Sequence, residues 1–195
     1  VNIADDLIKS NYDIICLQGV YRKKSMEYFR DNLSKKYPEM FTYYEKGLAL
    51  FCKESFCIIH GLMADLNKKS GYTGVHVIYK GIKLFIVNTY LEKYNRNTLQ
   101  TLKEQIDRTG YNTVILCGAF NLHEQTYYYN YIVNYFNLKD GYAKHKSNYK
   151  YTRKHDRSHR YDYIFVSNNI QNEYVINGVS EDNCDSLSIS GYLYP

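Results

Sequence analysis

Val114-Ile115-Leu116-Cys117-Gly118-Ala119-Phe120-Asn121 is the stretch that decides the fold. Four consecutive apolar residues, β-branched at the start, leave no face for water, which suits an interior strand of a covered sheet. The glycine and the polar amide that follow place a site at the strand's C-terminal tip, the end at which α/β sheets meet their ligands.

The same grammar recurs outward from that strand. Tyr12-Asp13-Ile14-Ile15-Cys16-Leu17-Gln18-Gly19-Val20 is an apolar run ending in Gln-Gly. Lys83-Leu84-Phe85-Ile86-Val87-Asn88-Thr89-Tyr90-Leu91 ends in Asn-Thr-Tyr, and Arg160-Tyr161-Asp162-Tyr163-Ile164-Phe165-Val166-Ser167 opens near an aspartate. Further strands are predicted over 47–53, 56–62 and 75–79, the last joined through Lys80-Gly81 to 82–88 as a hairpin. Apolar residues at helical spacing predict helices over 3–10, closed by Asn11, and over 25–37, with Ser25 as N-cap and Pro38 as terminator. Two more helices are predicted over 95–108 and 127–136, the second with a packed tyrosine face. Gly71-Tyr72-Thr73-Gly74 lacks the lysine of a phosphate-binding loop and reads as a turn between strands, and 144–160 reads as a basic loop. With no internal repeat and no linker, residues 1–195 form one α/β domain whose two-sheet core is covered by helices on both sides.

Composition narrows the function classes. The 195 residues are 45% hydrophobic, enough for a proper core, and carry a formal charge of +5. A pI near 8.8 is compatible with weak attraction to phosphates or an anionic membrane face, but mild basicity is common among soluble proteins and by itself decides nothing. Five cysteines, an odd number without a C-x-x-C pair, do not make a disulfide framework. Cys16 and Cys117 fall in predicted buried strands, where cysteine behaves as a small hydrophobe, so a reducing, intracellular setting is expected. No run approaches the roughly 20 apolar residues of a membrane span, so the chain is expected to be soluble or peripheral at a membrane.

Leu17-Gln18-Gly19, Asn88-Thr89-Tyr90-Leu91, Gly118-Ala119-Phe120-Asn121 and Arg160-Tyr161-Asp162-Tyr163 resemble, in order, the LQE, NTHL, GDFN and R-x-DY motifs of the endonuclease/exonuclease/phosphatase (DNase I-like) superfamily. Residues 89–96 resemble the THLHAEYNR of its neutral sphingomyelinase branch, one residue shorter, and 47–53 resemble that branch's GLxxFSK strand. The resemblance implies a four-layer α/β/β/α sandwich. It also implies a first strand upstream of Val1 and a closing strand after Pro195, so the chain reads as truncated at both ends. The superfamily's chemistry is Mg²⁺-dependent phosphodiester cleavage, in which a hard cation on carboxylate oxygens neutralises the phosphoryl group and a base activates water.

At the chemical positions the sequence departs from the pattern. Gly19 stands for the metal-binding glutamate, Ala119 for the GDFN aspartate and Tyr90 for the NTHL histidine. The final SDH has no counterpart in Ser188-Ile189-Ser190 or in Ser190-Gly191-Tyr192. What persists is Asn121 and Asp162 as catalytic remnants, with Asn88, Tyr90 and His123 as substrate-binding candidates and no metal ligand. A degenerate, inactive member without a cofactor is expected, binding a phosphodiester, an anionic lipid headgroup or a protein partner. The alternative is a residual Mg²⁺-dependent phosphodiesterase that recruits His123, Glu124 and Glu92 as substitute ligands. His155-Asp156-Arg157-Ser158-His159 has the spacing of a metal cluster, but its basic company favours a solvated loop.

Overall fold

Along the central strands successive side chains enter different cores, and that alternation fixes the layers. The structure, a computed structural model, describes residues 3–93, 95–142, 149–177 and 188–194. In chain order the elements are α1 (Ile3–Ser10), β1 (Ile14–Leu17), α2 (Lys23–Leu33), β2 (Glu39–Tyr43), a short 3-10 turn (Tyr44–Lys46), β3 (Leu48–Cys52), β4 (Cys57–Asp65), β5 (Gly71–Tyr79), β6 (Ile82–Tyr90), α3 (Arg96–Arg108), β7 (Val114–Ala119), α4 (Tyr127–Tyr135), β8 (Leu138–Asp140), β9 (Asp162–Ser167), β10 (Gln171–Asn177) and β11 (Ser188–Tyr194).

Val114 and Leu116 of β7, with Phe85 and Val87 of β6, pack beneath Leu99, Leu102 and Ile106 of α3 and Ile132 of α4. The intervening residues Ile115, Leu84 and Ile86 face the opposite way, onto Leu50 and Cys52 of β3. Beyond β3, Ala49 and Phe51 meet Ala4 of α1 and Met26 and Leu33 of α2. The result is helices, a sheet ordered β1-β3-β2, a sheet ordered β4-β5-β6-β7-β9-β8, and helices again. This is the four-layer α/β/β/α sandwich that the sequence implied. Leu50, Leu99, Leu102, Leu116 and Phe165 are fully buried, each contributing about 1.5–3 kcal/mol through loss of apolar contact with water.

The larger sheet is antiparallel except where β6 and β7 run parallel across the α3 crossover. Asn95 caps α3 by accepting from the Thr98 N–H at 2.8 Å. β10 and β11 pair antiparallel as a separate ribbon beside β9.

Two local expectations are corrected, and two strands were not anticipated. Helix α2 begins at Lys23 rather than Ser25, because the Tyr44 hydroxyl accepts from the Lys23 N–H at 3.1 Å and replaces a serine cap. Gly71-Tyr72-Thr73-Gly74 lies inside β5 rather than in a turn. Its glycines answer to crowding, since a Cβ on Gly74 would lie 2.7 Å from the Phe85 ring. β2 and β8 are short strands that no alternation in the sequence announces. Tyr94 and residues 143–148, with Lys144, His145 and Lys146, fall outside the described residues, as do the side chains of Ser188, Ile189, Ser190, Gly191 and Tyr192.

Candidate functional site

The strand tips of β6, β7 and β9 end level. Register places Tyr90 opposite Ala119 and Ala119 opposite Asp162, so three of the motif positions form one row across the sheet. The row is possible because β7 approaches β6 very closely there. Gly118 has φ +142°, and a Cβ on it would lie 1.9 Å from the Thr89 carbonyl oxygen, so no other residue fits.

Opposite this row is the loop after β1. Gln18 donates from Nε2 to Asn88 Oδ1 at 2.6 Å. Asn88 in turn donates from Nδ2 to the carbonyls of Leu17 and Ala49, each at 3.0 Å. Fully buried, with amide and carbonyl both engaged, Asn88 ties the two sheets together below the tips rather than offering its side chain upward. Tyr21 and Tyr90 meet edge to face at 6.0 Å, and burial together with the Tyr90 hydroxyl pushes the Tyr21 phenol up. Gly19 is exposed in the same loop, with φ +78° and no heavy atom within 4 Å of where a Cβ would stand. The space for a side chain is there and the side chain is not.

Asn121 sits just past β7 with φ 56°, a left-handed turn that asparagine tolerates. Its Nδ2 donates to the Leu91 carbonyl and its Oδ1 accepts from Arg153. The Arg153 guanidinium lies over the Tyr161 ring, 4.4 Å from its centroid. Arg153 is held there by its neighbour Thr152, which is fully buried and whose Oγ1 accepts from the Tyr161 N–H at 2.8 Å and the Asp162 N–H at 3.3 Å. The Tyr161 hydroxyl donates to Asp156, and the Ser158 amide adds a bond at 2.9 Å, which together hold the Asp156 carboxyl down at about 2.

Asp162 is 7% exposed, and its Oδ2 has no hydrogen-bond partner. Burial pushes its carboxyl up to about 6, against the opposing pull of the Thr152 hydroxyl and the Arg153 charge. His123 lies farther along the same loop and stacks on His159, ring centroids 4.4 Å apart, with its Nδ1 buried and unpartnered. His159 thus stacks on His123 while its charge also acts on Asp156, and among the described residues His155, Asp156 and His159 do not form a metal-holding group.

The donor set does not fit a divalent ion. Such a cation needs several converging oxygen ligands, and among the described residues no group of three His, Cys, Asp or Glu side chains converges. Glu92 is paired with Lys69 at 2.6 Å. Glu124 accepts from the Arg160 N–H at 3.2 Å and the Tyr163 hydroxyl at 3.4 Å. Asp162 alone faces the row, with the Arg153 cation nearby.

Gln18, Tyr21, Thr152 and Arg153 are functional candidates that sequence reasoning missed. Arg153 stands among Lys150, Lys154 and Arg157, and nothing in that company singles it out.

A model described as the Endonuclease/Exonuclease/phosphatase family matches residues 1–180. No curated protein matches the chain in sequence. Among solved structures, a mannosyl-6-phosphatase of Bacteroides thetaiotaomicron is similar with a TM-score of 0.78 at 16% identity, over 98% of this chain and 89% of that one. The human nocturnin catalytic domain with bound sulfate anion is similar at 0.73 and 20% identity, over 97% and 85%. A sphingomyelinase C from Streptomyces griseocarneus is similar at 0.69 and 13% identity, over 98% and 86%. At these identities the likeness is one of fold. No helix among the described residues is long and apolar enough to cross a membrane.

Proposed function

Because the chain belongs to the endonuclease/exonuclease/phosphatase family, we propose that it binds a phosphate ester at the family's strand tips without cleaving it. The observation that carries this reading is the row Tyr90, Ala119 and Asp162, which offers one buried carboxylate and no second acid or base. A methyl group at 119 neither accepts a proton nor orients water, and Gly19 supplies no side-chain oxygen to a metal. Loss of a positioned acid or base forfeits about 10²- to 10⁴-fold in rate, and groups acting as one unit fail together. The similar structures are named for a phosphatase and a sphingomyelinase, and one holds a sulfate, so an oxyanion ligand is the common thread.

The rival, a Mg²⁺-dependent phosphodiesterase with substitute ligands, needs Glu92 and Glu124 released from Lys69 and Arg160. The test is equilibrium phosphate binding beside hydrolysis assays on bis(p-nitrophenyl) phosphate, sphingomyelin and DNA, with Mg²⁺ or Mn²⁺ present. Saturable binding without turnover is expected. A metal-dependent rate that Asn121→Ala abolishes would overturn the proposal.

A further inference from the structure

Resting on that phosphate-binding reading, a sharper statement concerns which group meets the anion. We propose that Arg153 is a built-in cation that takes the place of a divalent ion, so that the cleft binds a phosphate-ester anion through the guanidinium and without any metal.

Four observations converge on it. Arg153 reaches the site from a different loop, yet its guanidinium bonds Asn121, the one amide of the motif set not buried in the inter-sheet tie. The position is pinned on both sides. Thr152 is fixed to the start of β9 by two backbone N–H groups, and the ring beneath the guanidinium is fixed through the Tyr161 hydroxyl to Asp156. Arg153 is half-buried, and among the described residues its guanidinium makes this single hydrogen bond, which leaves further N–H groups for a ligand. His123 and His159 stack beside the loop, while Glu92 is engaged with Lys69 and Glu124 with the Arg160 N–H and the Tyr163 hydroxyl, so neither glutamate competes for the guanidinium.

The chemistry selects the ligand class. A guanidinium is planar, always charged and weakly hydrated, and its paired N–H groups match two oxygens of a phosphate. It also repels a second cation placed on the same residues, so guanidinium and divalent ion are mutually exclusive occupants of this site. Asp162 acts on the guanidinium only through its charge, without a hydrogen bond to it, and its small exposure keeps a ligand from using it as a base.

The test is calorimetric titration of the whole chain with inorganic phosphate, once in EDTA and once in Mg²⁺, for wild type, Arg153→Gln, Arg153→Lys and the double variant Arg153→Gln with Asp162→Asn. Wild-type affinity should agree within about twofold between the two buffers. Arg153→Gln should weaken it by about tenfold or more, the usual worth of a hydrogen bond to a charged group. Arg153→Lys keeps the charge, loses the fork and should fall between. The double variant also removes the buried Asp162 charge on which Arg153 acts, so a double variant that melts at or above the wild-type temperature yet does not bind assigns the loss to the guanidinium rather than to misfolding.

Parallel sedimentation with phosphatidylcholine vesicles, with and without phosphatidic acid, identifies the source of the anion. Arg153-dependent pelleting with phosphatidic acid supports a lipid headgroup, and phosphate binding without pelleting supports a soluble ester. Phosphate bound as tightly by Arg153→Gln, or bound only when Mg²⁺ is present, overturns the role of Arg153 and leaves the phosphate-binding reading standing. A wild-type chain that binds no phosphate in either buffer overturns both.

Discussion

Replacing Asp162 by asparagine should stabilise the protein at neutral pH and leave it nearly unchanged in acid. Asp162 is buried, its Oδ2 lacks a partner, and its carboxyl titrates near 6. In an unfolded chain the same group titrates near 3.9. A carboxyl held up by folding keeps its proton in the native state while the unfolded state loses it. Stability is therefore greatest below about pH 3.9 and falls as the pH rises to about 6, the reverse of a salt-bridged aspartate. Above that window the native state carries a penalty of about 3 kcal/mol, one pKa unit being worth about 1.4 kcal/mol.

Asparagine has the same shape, still accepts from Thr152 and never ionises. Differential scanning calorimetry at pH 7.5 should show the Asp162→Asn variant more stable by up to about 3 kcal/mol, roughly 6–12 °C in Tm for a domain of this size. At pH 4 the gain should shrink to about 0.5 kcal/mol or less. A variant less stable than wild type at pH 7.5, or one with the same gain at both pH values, would show that Asp162 is ionised and well paired, and the description of the site would be wrong.

Other perturbations probe the scaffold. Asn88→Ala deprives the Leu17 and Ala49 carbonyls of their donor and should cost roughly 2–4 kcal/mol in urea denaturation, since buried acceptors without partners are expensive. Asp140→Ala removes a buried partner of the Arg160 guanidinium, 2.8 Å away with both side chains 7% exposed. Up to about 3–5 kcal/mol should be lost, and much of it recovered when Arg160→Met is added, because a buried charge that loses a counter-charge is costly. Gly118→Ala drives a methyl into the Thr89 carbonyl and should abolish the cooperative melting transition seen by circular dichroism.

The layers were legible because the residues that make them obey one period each. Val114 to Leu116 could be wet on neither face, and the structure sorts them into two cores. The motif order Leu17-Gln18-Gly19, Asn88, Asn121, Asp162 also carried the family. Less visible was the division of labour within the site. Asn88 and Asn121 look alike in sequence, yet one closes the gap between sheets and the other supports a guanidinium, a distinction made by Leu17, Ala49 and Arg153 from distant parts of the chain. The cap of α2 escaped notice for the same reason, since a tyrosine hydroxyl arriving from the turn after β2 leaves no local signature. Arg153 was hidden by its own neighbours. In a run of basic residues, only the buried anchor at Thr152 and the ring of Tyr161 decide which cation turns inward.

Titration of the purified chain with Mg²⁺, read by calorimetry and by melting temperature, tests the central claim most directly. A cleft whose positive charge is already supplied by Arg153 should give no saturable heat and no rise in Tm. Saturable Mg²⁺ binding that raises Tm by mass action, and that disappears in Asp162→Asn, would contradict it.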